Sequence, residues 1–246
     1  MQKYFISDED FKANKITSDD VFHISNVMRF RIGDSILIGN NRKEYVAKIE
    51  EITKNYVAYE IIEERIGNTE LPVFISIFQG YPKGDKLDDI IKHSTELGVY
   101  EIIPTMMKRS VFKLDDKKKD SKIIRFNKIA KEAAEQSERL IVPQIPDILY
   151  LKEIDFSKFD KLILCYEESA RNNELKAFKT MVKSLKKDDK VAVLIGPEGG
   201  IDPEELEYLL AKGFIPCSLG KRILRTETAS HYVLSAISYE MELLNE

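Results

Sequence analysis

At 246 residues the chain has room for one large domain or two small ones, at roughly 100 to 200 residues per domain. A composition 43% hydrophobic and 33% charged excludes a disordered chain, and no apolar run approaches the roughly 20 residues a spanning helix needs. The net charge of -4 argues against a nonspecific nucleic-acid binder, yet the charge is uneven: residues 108–131 hold ten basic and three acidic groups, whereas residues 1–70 hold ten basic and thirteen acidic. The opening MQKYFISDEDF puts acids and aromatics where an export leader needs a greasy stretch, so the expected location is cytoplasmic, with no membrane association. Cys165 and Cys217 fall at no metal-ligand spacing and cannot form a disulfide framework, so no metal site is expected.

In chain order, the first third predicts short strands at 34–39, 45–52 and 56–64, whose period-two patterning implies a small antiparallel sheet or barrel. A helix is expected over 19–29, capped by Ser18 or Asp19, with Val21, Ile24, Val27 and Met28 as its apolar stripe. Residues 65–72 read as a linker. After Pro72 strands alternate with helices: a strand at 73–80, a helix over 84–98 and a strand at 100–106. A long helix over 121–138, a strand at 161–166, a helix near 171–186 and a buried strand at 191–195 follow. This alternation predicts an α/β domain with a parallel sheet. A helix starts at Asp202, with Pro203 in its first turn, and the last runs from Thr226 to Leu244.

Two loops could carry chemistry. In VAVLIGPEGG, 191–200, a buried strand empties into a glycine-rich loop before a capped helix, where ligands sit in open α/β sheets. Neither the Walker nor the dinucleotide spacing is present, and the glycines alone serve equally well as a structural turn. The second is SLGKRILRTETAS, 218–230, where small, basic and hydroxyl residues feed the last helix. His23, His93 and His231 lie far apart with no nucleophile elbow, so a hydrolase triad has little support.

GPEGG followed about twenty residues later by LGKRILRTETA resembles the C-terminal signature of the RsmE family, the 16S rRNA uracil N3-methyltransferases of the SPOUT class. HISNVMRFRIGD at 23–34, KGDKLDDIIKHSTELGV at 83–99 and EAAEQSERLIVPQI at 132–145 extend the resemblance along nearly the whole chain in the family's order. Lys92-His93 stands where the family usually has Gln-Lys, and tryptophan is absent.

The resemblance implies a PUA-like β-barrel that binds RNA over 1–70, and a SPOUT α/β methyltransferase domain with a deep trefoil knot over 71–246. It also implies S-adenosylmethionine as cofactor, and a homodimer whose interface completes each site, so that a monomer is inactive. Mapped onto this sequence, Ile195, Gly196, Pro197, Glu198, Gly199 and Gly200 form one cofactor loop. Ser218, Leu219, Gly220, Ile223 and Leu224 form a second, and Cys165, Tyr166 and Glu167 a third. Leu219 and Leu224 suit an adenine slot, although without the resemblance ordinary core packing is the preferred explanation. Arg225 is the candidate to stabilise charge on the uracil oxygens or clamp a phosphate, and Glu227 to accept the N3 proton. Arg29, Arg31, Lys108, Arg109 and Arg139 are the candidate RNA contacts, within or beside basic segments that release counterions from a polyanion. The target base is expected to flip, because a paired N3 lies inside the Watson-Crick edge. Two other readings stay open: a SPOUT methyltransferase acting on another RNA such as tRNA, and a noncatalytic RNA-binding or ribosome-assembly protein.

Overall fold

The structure, a computed structural model, describes residues 1–111, 115–166 and 176–244. The chain divides into two compact units, Met1–Glu70 with Ala134–Val142, and Leu71–Ala133 with Pro143–Glu246.

In the first unit β1 (Lys3–Phe5), β2 (Lys15–Ile16), β3 (Ser35–Asn40), β4 (Lys43–Ile52) and β5 (Val57–Arg65) form one sheet in the order β1-β3-β4-β5-β2. β3, β4 and β5 fall where alternation predicts them. β1 and β2 escape periodicity because three and two residues carry no period. β1 pairs with β3 in parallel, so the sheet is mixed rather than antiparallel throughout. The connection from β1 to β3 passes through helices instead of a hairpin, which permits that direction.

One of those helices, α1 (Asp8–Ala13), was not predicted. Ser7 caps it by accepting from Asp10 N, and Asn14 ends it in the left-handed region at φ 52°. The helix expected over 19–29 is only α2 (Asp20–Phe22) followed by a π-helical stretch, His23–Val27. Ser18 Oγ accepts from Asp20 N, whereas Asp19 makes no side-chain cap. Tyr4, Ile16, Ile24, Ile36, Ile38, Ala47 and Val57 pack as this unit's core.

The first unit also buries charge. Lys3 is fully buried and donates to Glu44 Oε2 at 2.8 Å and to the Arg139 carbonyl at 2.5 Å. Arg139, 2% exposed, ion-pairs with Glu70, which also accepts from the backbone N–H groups of Leu140 and Ile141. Glu70 therefore gives the predicted linker a structural role.

The second unit carries a six-stranded parallel sheet in the order β11-β9-β10-β6-β7-β8. Its strands are β6 (Phe74–Gly80), β7 (Glu101–Met106), β8 (Leu149–Tyr150), β9 (Lys161–Cys165), β10 (Lys190–Ile195) and β11 (Ile215–Cys217). β6 and β10 are buried along nearly their whole lengths, as continuous apolar runs require when both faces of a parallel sheet are covered. Between the strands run α3 (Lys86–Glu96), α4 (Asp116–Gln136), α5 (Lys176–Lys183) and α6 (Pro203–Ala211), and α7 (Thr226–Ser238) follows β11. α4 starts five residues before its predicted start, taking in most of the charged run 115–120. The predicted residues 171–175 lie outside the described residues, and α7 gives way to a π-helical stretch, Tyr239–Leu243. Among the described residues no helix is long and apolar enough to cross a membrane.

The register decides where the site lies. Ile195 at the end of β10 pairs with Gln79 of β6 and Cys165 of β9, and Cys165 pairs with Cys217 of β11. Four strands therefore end in line, and their following loops share one edge of the sheet.

Candidate active site

At that edge opens a cavity of about 660 Å³, inside the range of roughly 300 to 1,000 Å³ usual for small-ligand sites. It brings together segments of three loops: Cys165 and Tyr166 after β9, residues 195–200 after β10, and Ser218, Leu219, Gly220, Ile223 and Leu224 after β11. Glu167, expected beside Tyr166, lies outside the described residues. Arg225 lines the cavity with an exposed side chain, and Lys86 and Arg109 line it as well.

Local geometry explains the glycines. A Cβ on Gly80 would lie 2.4 Å from Pro197 N, so only glycine lets β6 end against the loop of β10. Gly200 takes φ +72°, which closes the turn in which its N–H donates to the Pro197 carbonyl at 2.9 Å. In the β11 loop, Ser218 Oγ donates to the Gly220 carbonyl at 2.9 Å, and Tyr166 N donates to the Cys217 carbonyl at 3.0 Å, tying two loops at their roots. Ile195, Leu219 and Leu224 supply apolar wall, whereas Ile223 is 71% exposed and belongs to the rim. Burial, followed by the nearby Cys217, pushes the Cys165 thiol upward, so it stays protonated and serves as wall rather than nucleophile.

Beneath the glycine loop runs a neutral hydrogen-bond chain. Thr226 Oγ1 donates to the Gly196 carbonyl at 2.8 Å and accepts from Gln79 Nε2 at 2.7 Å. Ser230 Oγ donates to Gln79 Oε1 at 2.6 Å. Gln79 and Ser230 are fully buried, so the chain is shielded from water and fixes β6, the loop and α7 against each other.

Charge gathers at the rim. Glu198 accepts from Lys83 N at 3.2 Å and from Lys86 Nζ at 2.9 Å. Desolvation pushes its carboxyl upward, but the bonds from Lys86 and from backbone N–H groups outweigh it and hold the carboxyl below its ordinary range. Glu227, on the first turn of α7, is outside the cavity wall. Its Oε2 lies 3.5 Å from Lys86 Nζ and is buried, with no hydrogen-bond partner among the described residues. One turn on, His231 faces His93 with ring centroids 5.4 Å apart, and burial, then the neighbouring His93, keeps it below its ordinary range.

This arrangement can hold a ligand with one flat apolar part against Ile195, Leu219 and Leu224 and polar parts at the glycine backbone, with a guanidinium at the mouth. Residues 69–238 match the family model of the RNA methyltransferase domain, and residues 16–62 that of the RNA methyltransferase PUA domain. The chain is 44% identical to ribosomal RNA small subunit methyltransferase E of Bacillus subtilis, over 99% of its own length and 98% of that protein's. The chain belongs to the RsmE family. It is also 31% identical to methyltransferase E of Buchnera aphidicola from Acyrthosiphon pisum, covering 96% of this chain and 87% of that one. The crystal structure of the Neisseria gonorrhoeae enzyme bound to S-adenosyl methionine superposes with a TM-score of 0.82 at 26% identity, covering 98% of each chain.

The RNA candidates of this RsmE-family chain fare differently. Arg29, at φ 55°, and Arg31 are exposed in the loop before β3, near the exposed apolar side chains of Phe22, Val27, Met28 and Ile32. Lys108 is paired with Asp202 at 3.3 Å and with Glu204, and Arg109 reaches Asp202 at 3.8 Å and donates to the Gly199 carbonyl at 3.3 Å. Arg109 thus braces the glycine loop. Arg139 departs from expectation: its burial and its bond to Glu70 make it part of the packing of the first unit, with no face offered to a polyanion. The basic segment is partly neutralised too, since Lys119 pairs with Asp147 and Arg125 with Asp88.

Sequence reasoning did not single out Gln79, Ser230 or Lys86. Ser230 closes the segment 218–230 and Lys86 lies within the block 83–99, but neither position stands out from its neighbours, and Gln79 is a lone amide near the end of a mostly apolar strand, 73–80.

Proposed function

We propose that this chain methylates N3 of a uridine in the 16S rRNA of the small ribosomal subunit, using S-adenosylmethionine. The observation that carries the reading is the convergence of the β9, β10 and β11 loops on one cavity with Arg225 at its mouth. The cavity's size, apolar wall and glycine backbone fit that cofactor, with Ile195 to Gly200, Ser218 to Gly220 and Leu224 holding it. When bound, the cofactor supplies a sulfonium methyl for in-line displacement.

The chain's own residues do the rest. The loops align donor and acceptor, which is where most of the acceleration of a positioned transfer originates. Arg225 stabilises negative charge on the uracil oxygens as N3 is deprotonated, and Glu227 accepts the N3 proton. Arg29 and Arg31 contact RNA phosphates from the first domain. Domain limits of 1–70 for a PUA-like RNA-binding barrel and 71–246 for a SPOUT domain, a trefoil knot around the cofactor loops, a homodimer that completes each site and a cytoplasmic location complete the reading.

Transfer of labelled methyl from S-adenosylmethionine to unmethylated small subunits, followed by nucleoside analysis, tests it. Formation of 3-methyluridine is expected, and a different methylated nucleoside would reassign the target. Glu227→Gln should lower turnover about 100-fold or more while sparing cofactor binding, the size usual for loss of a positioned base.

A further inference from the structure

Three elements far apart in sequence meet at one ammonium group. Lys86 opens α3, Glu198 lies in the glycine loop after β10, and Glu227 lies on the first turn of α7. Lys86 Nζ is 2.9 Å from Glu198 Oε1 and 3.5 Å from Glu227 Oε2, and the lysine lines the cavity. The two distances differ in kind. At 2.9 Å the glycine loop is held by a charge-assisted hydrogen bond, and Lys83 N, three residues earlier, donates to the same carboxylate. At 3.5 Å Lys86 Nζ faces Glu227 Oε2 without meeting it as a hydrogen-bond donor, and among the described residues no other group does, so its lone pair stays available. A carboxylate oxygen bound by several donors makes a poor base, whereas one without a donor keeps its lone pair available.

We propose that Lys86 is the positioning residue of this site, which fixes the glycine loop through Glu198 and holds the Glu227 carboxylate in place beside it. The inference rests on the reading of Glu227 as the base. One turn along α7, His231 is within reach of the charges of Glu227 and of His93, Glu96 and Asp89 on α3, and His93 is bonded to Glu96 at 2.9 Å. Among the described residues Lys86 is the cation paired with both Glu198, which lines the cavity, and Glu227, which stands behind its wall.

Lys86→Met and Lys86→Arg would be compared with the unmodified chain and with Glu227→Gln, each checked by its thermal melt. Calorimetric binding of S-adenosylhomocysteine should weaken roughly tenfold in Lys86→Met, as loss of one charge-assisted bond implies, and recover in Lys86→Arg. In the methyl-transfer assay kcat should fall in Lys86→Met with little change in the KM for the small subunit, because the carboxylate is displaced while the RNA contacts remain, and Lys86→Arg should restore kcat. Unchanged kcat, or unaltered ligand binding, in Lys86→Met would overturn the positioning role while leaving the base in place. Full turnover in Glu227→Gln would instead remove the base, and the positioning role with it.

Discussion

The two units bury polar groups in opposite ways. The first encloses full charges, Lys3 with Glu44 and Arg139 with Glu70, whereas the second, under its glycine loop, encloses the neutral chain of Gln79, Thr226 and Ser230. A buried ion pair loses its hydration and is tolerated only while every partner is present, so it locks one packing arrangement. A neutral chain imposes less desolvation and places no net charge beneath a cavity. Around the cavity the charges stand at the rim, on Lys86, Glu198 and Arg225, while elsewhere in the unit Glu205 is buried and accepts from Lys108 N at 2.8 Å.

The largest effect should come from breaking the charged arrangement. Lys3→Met leaves Glu44 paired with Arg65 alone among the described residues, at 3.1 Å, and removes the buried lysine's bond to the Arg139 carbonyl, so a loss of about 3 kcal/mol is expected in denaturant unfolding. A loss under 1 kcal/mol would mean that the buried pair contributes no more than a surface one. Breaking the neutral chain should cost less. Thr226→Ala leaves Gln79 Nε2 and the Gly196 carbonyl without their shared hydroxyl, an expected loss of about 2 kcal/mol with weaker binding of S-adenosylhomocysteine. Stability lost without any change in binding would separate the chain from the loop it supports.

Smaller still is the cap of α6. Asp202 accepts from Glu204 N at 3.1 Å, and Asp202→Ala should cost about 1 kcal/mol, read from the same unfolding curves. The smallest effect is a pH dependence. His231 binds a proton less readily folded than unfolded, so the unfolded state takes up more protons as pH falls below the ordinary histidine value of about 6.5. The native state should lose stability in that range, and His231→Asn should lose less of it; equal losses would place the dependence on other groups.

Much of this was legible in advance, for identifiable reasons. VAVLI at 191–195 reads as a buried parallel strand because both faces are covered, and Asp202-Pro203 announces a helix start by capping alone. The loops 195–200 and 218–224 were readable because their glycines, serine and leucines lie together in sequence. β1, β2 and α1 were not, since elements this short are held by tertiary pairing. The π-helical stretch after α2 escaped the helical periodicity that suggested a regular helix to Arg29. Arg139 misled for the opposite reason: an arginine near a helix end is usually solvated, and only the fold shows that Glu70, 69 residues away, takes it inside.

By itself, then, the sequence determined the alternation of strands and helices, the two loops that carry chemistry and the family to which they belong, because those signals are local in the chain. The tertiary structure decided which charges are spent on packing and which face the cavity. It alone aligned the ends of β6, β9, β10 and β11 and brought Lys86 between Glu198 and Glu227, since a contact across 112 residues leaves no local pattern and arises only when the sheet register sets the loops side by side.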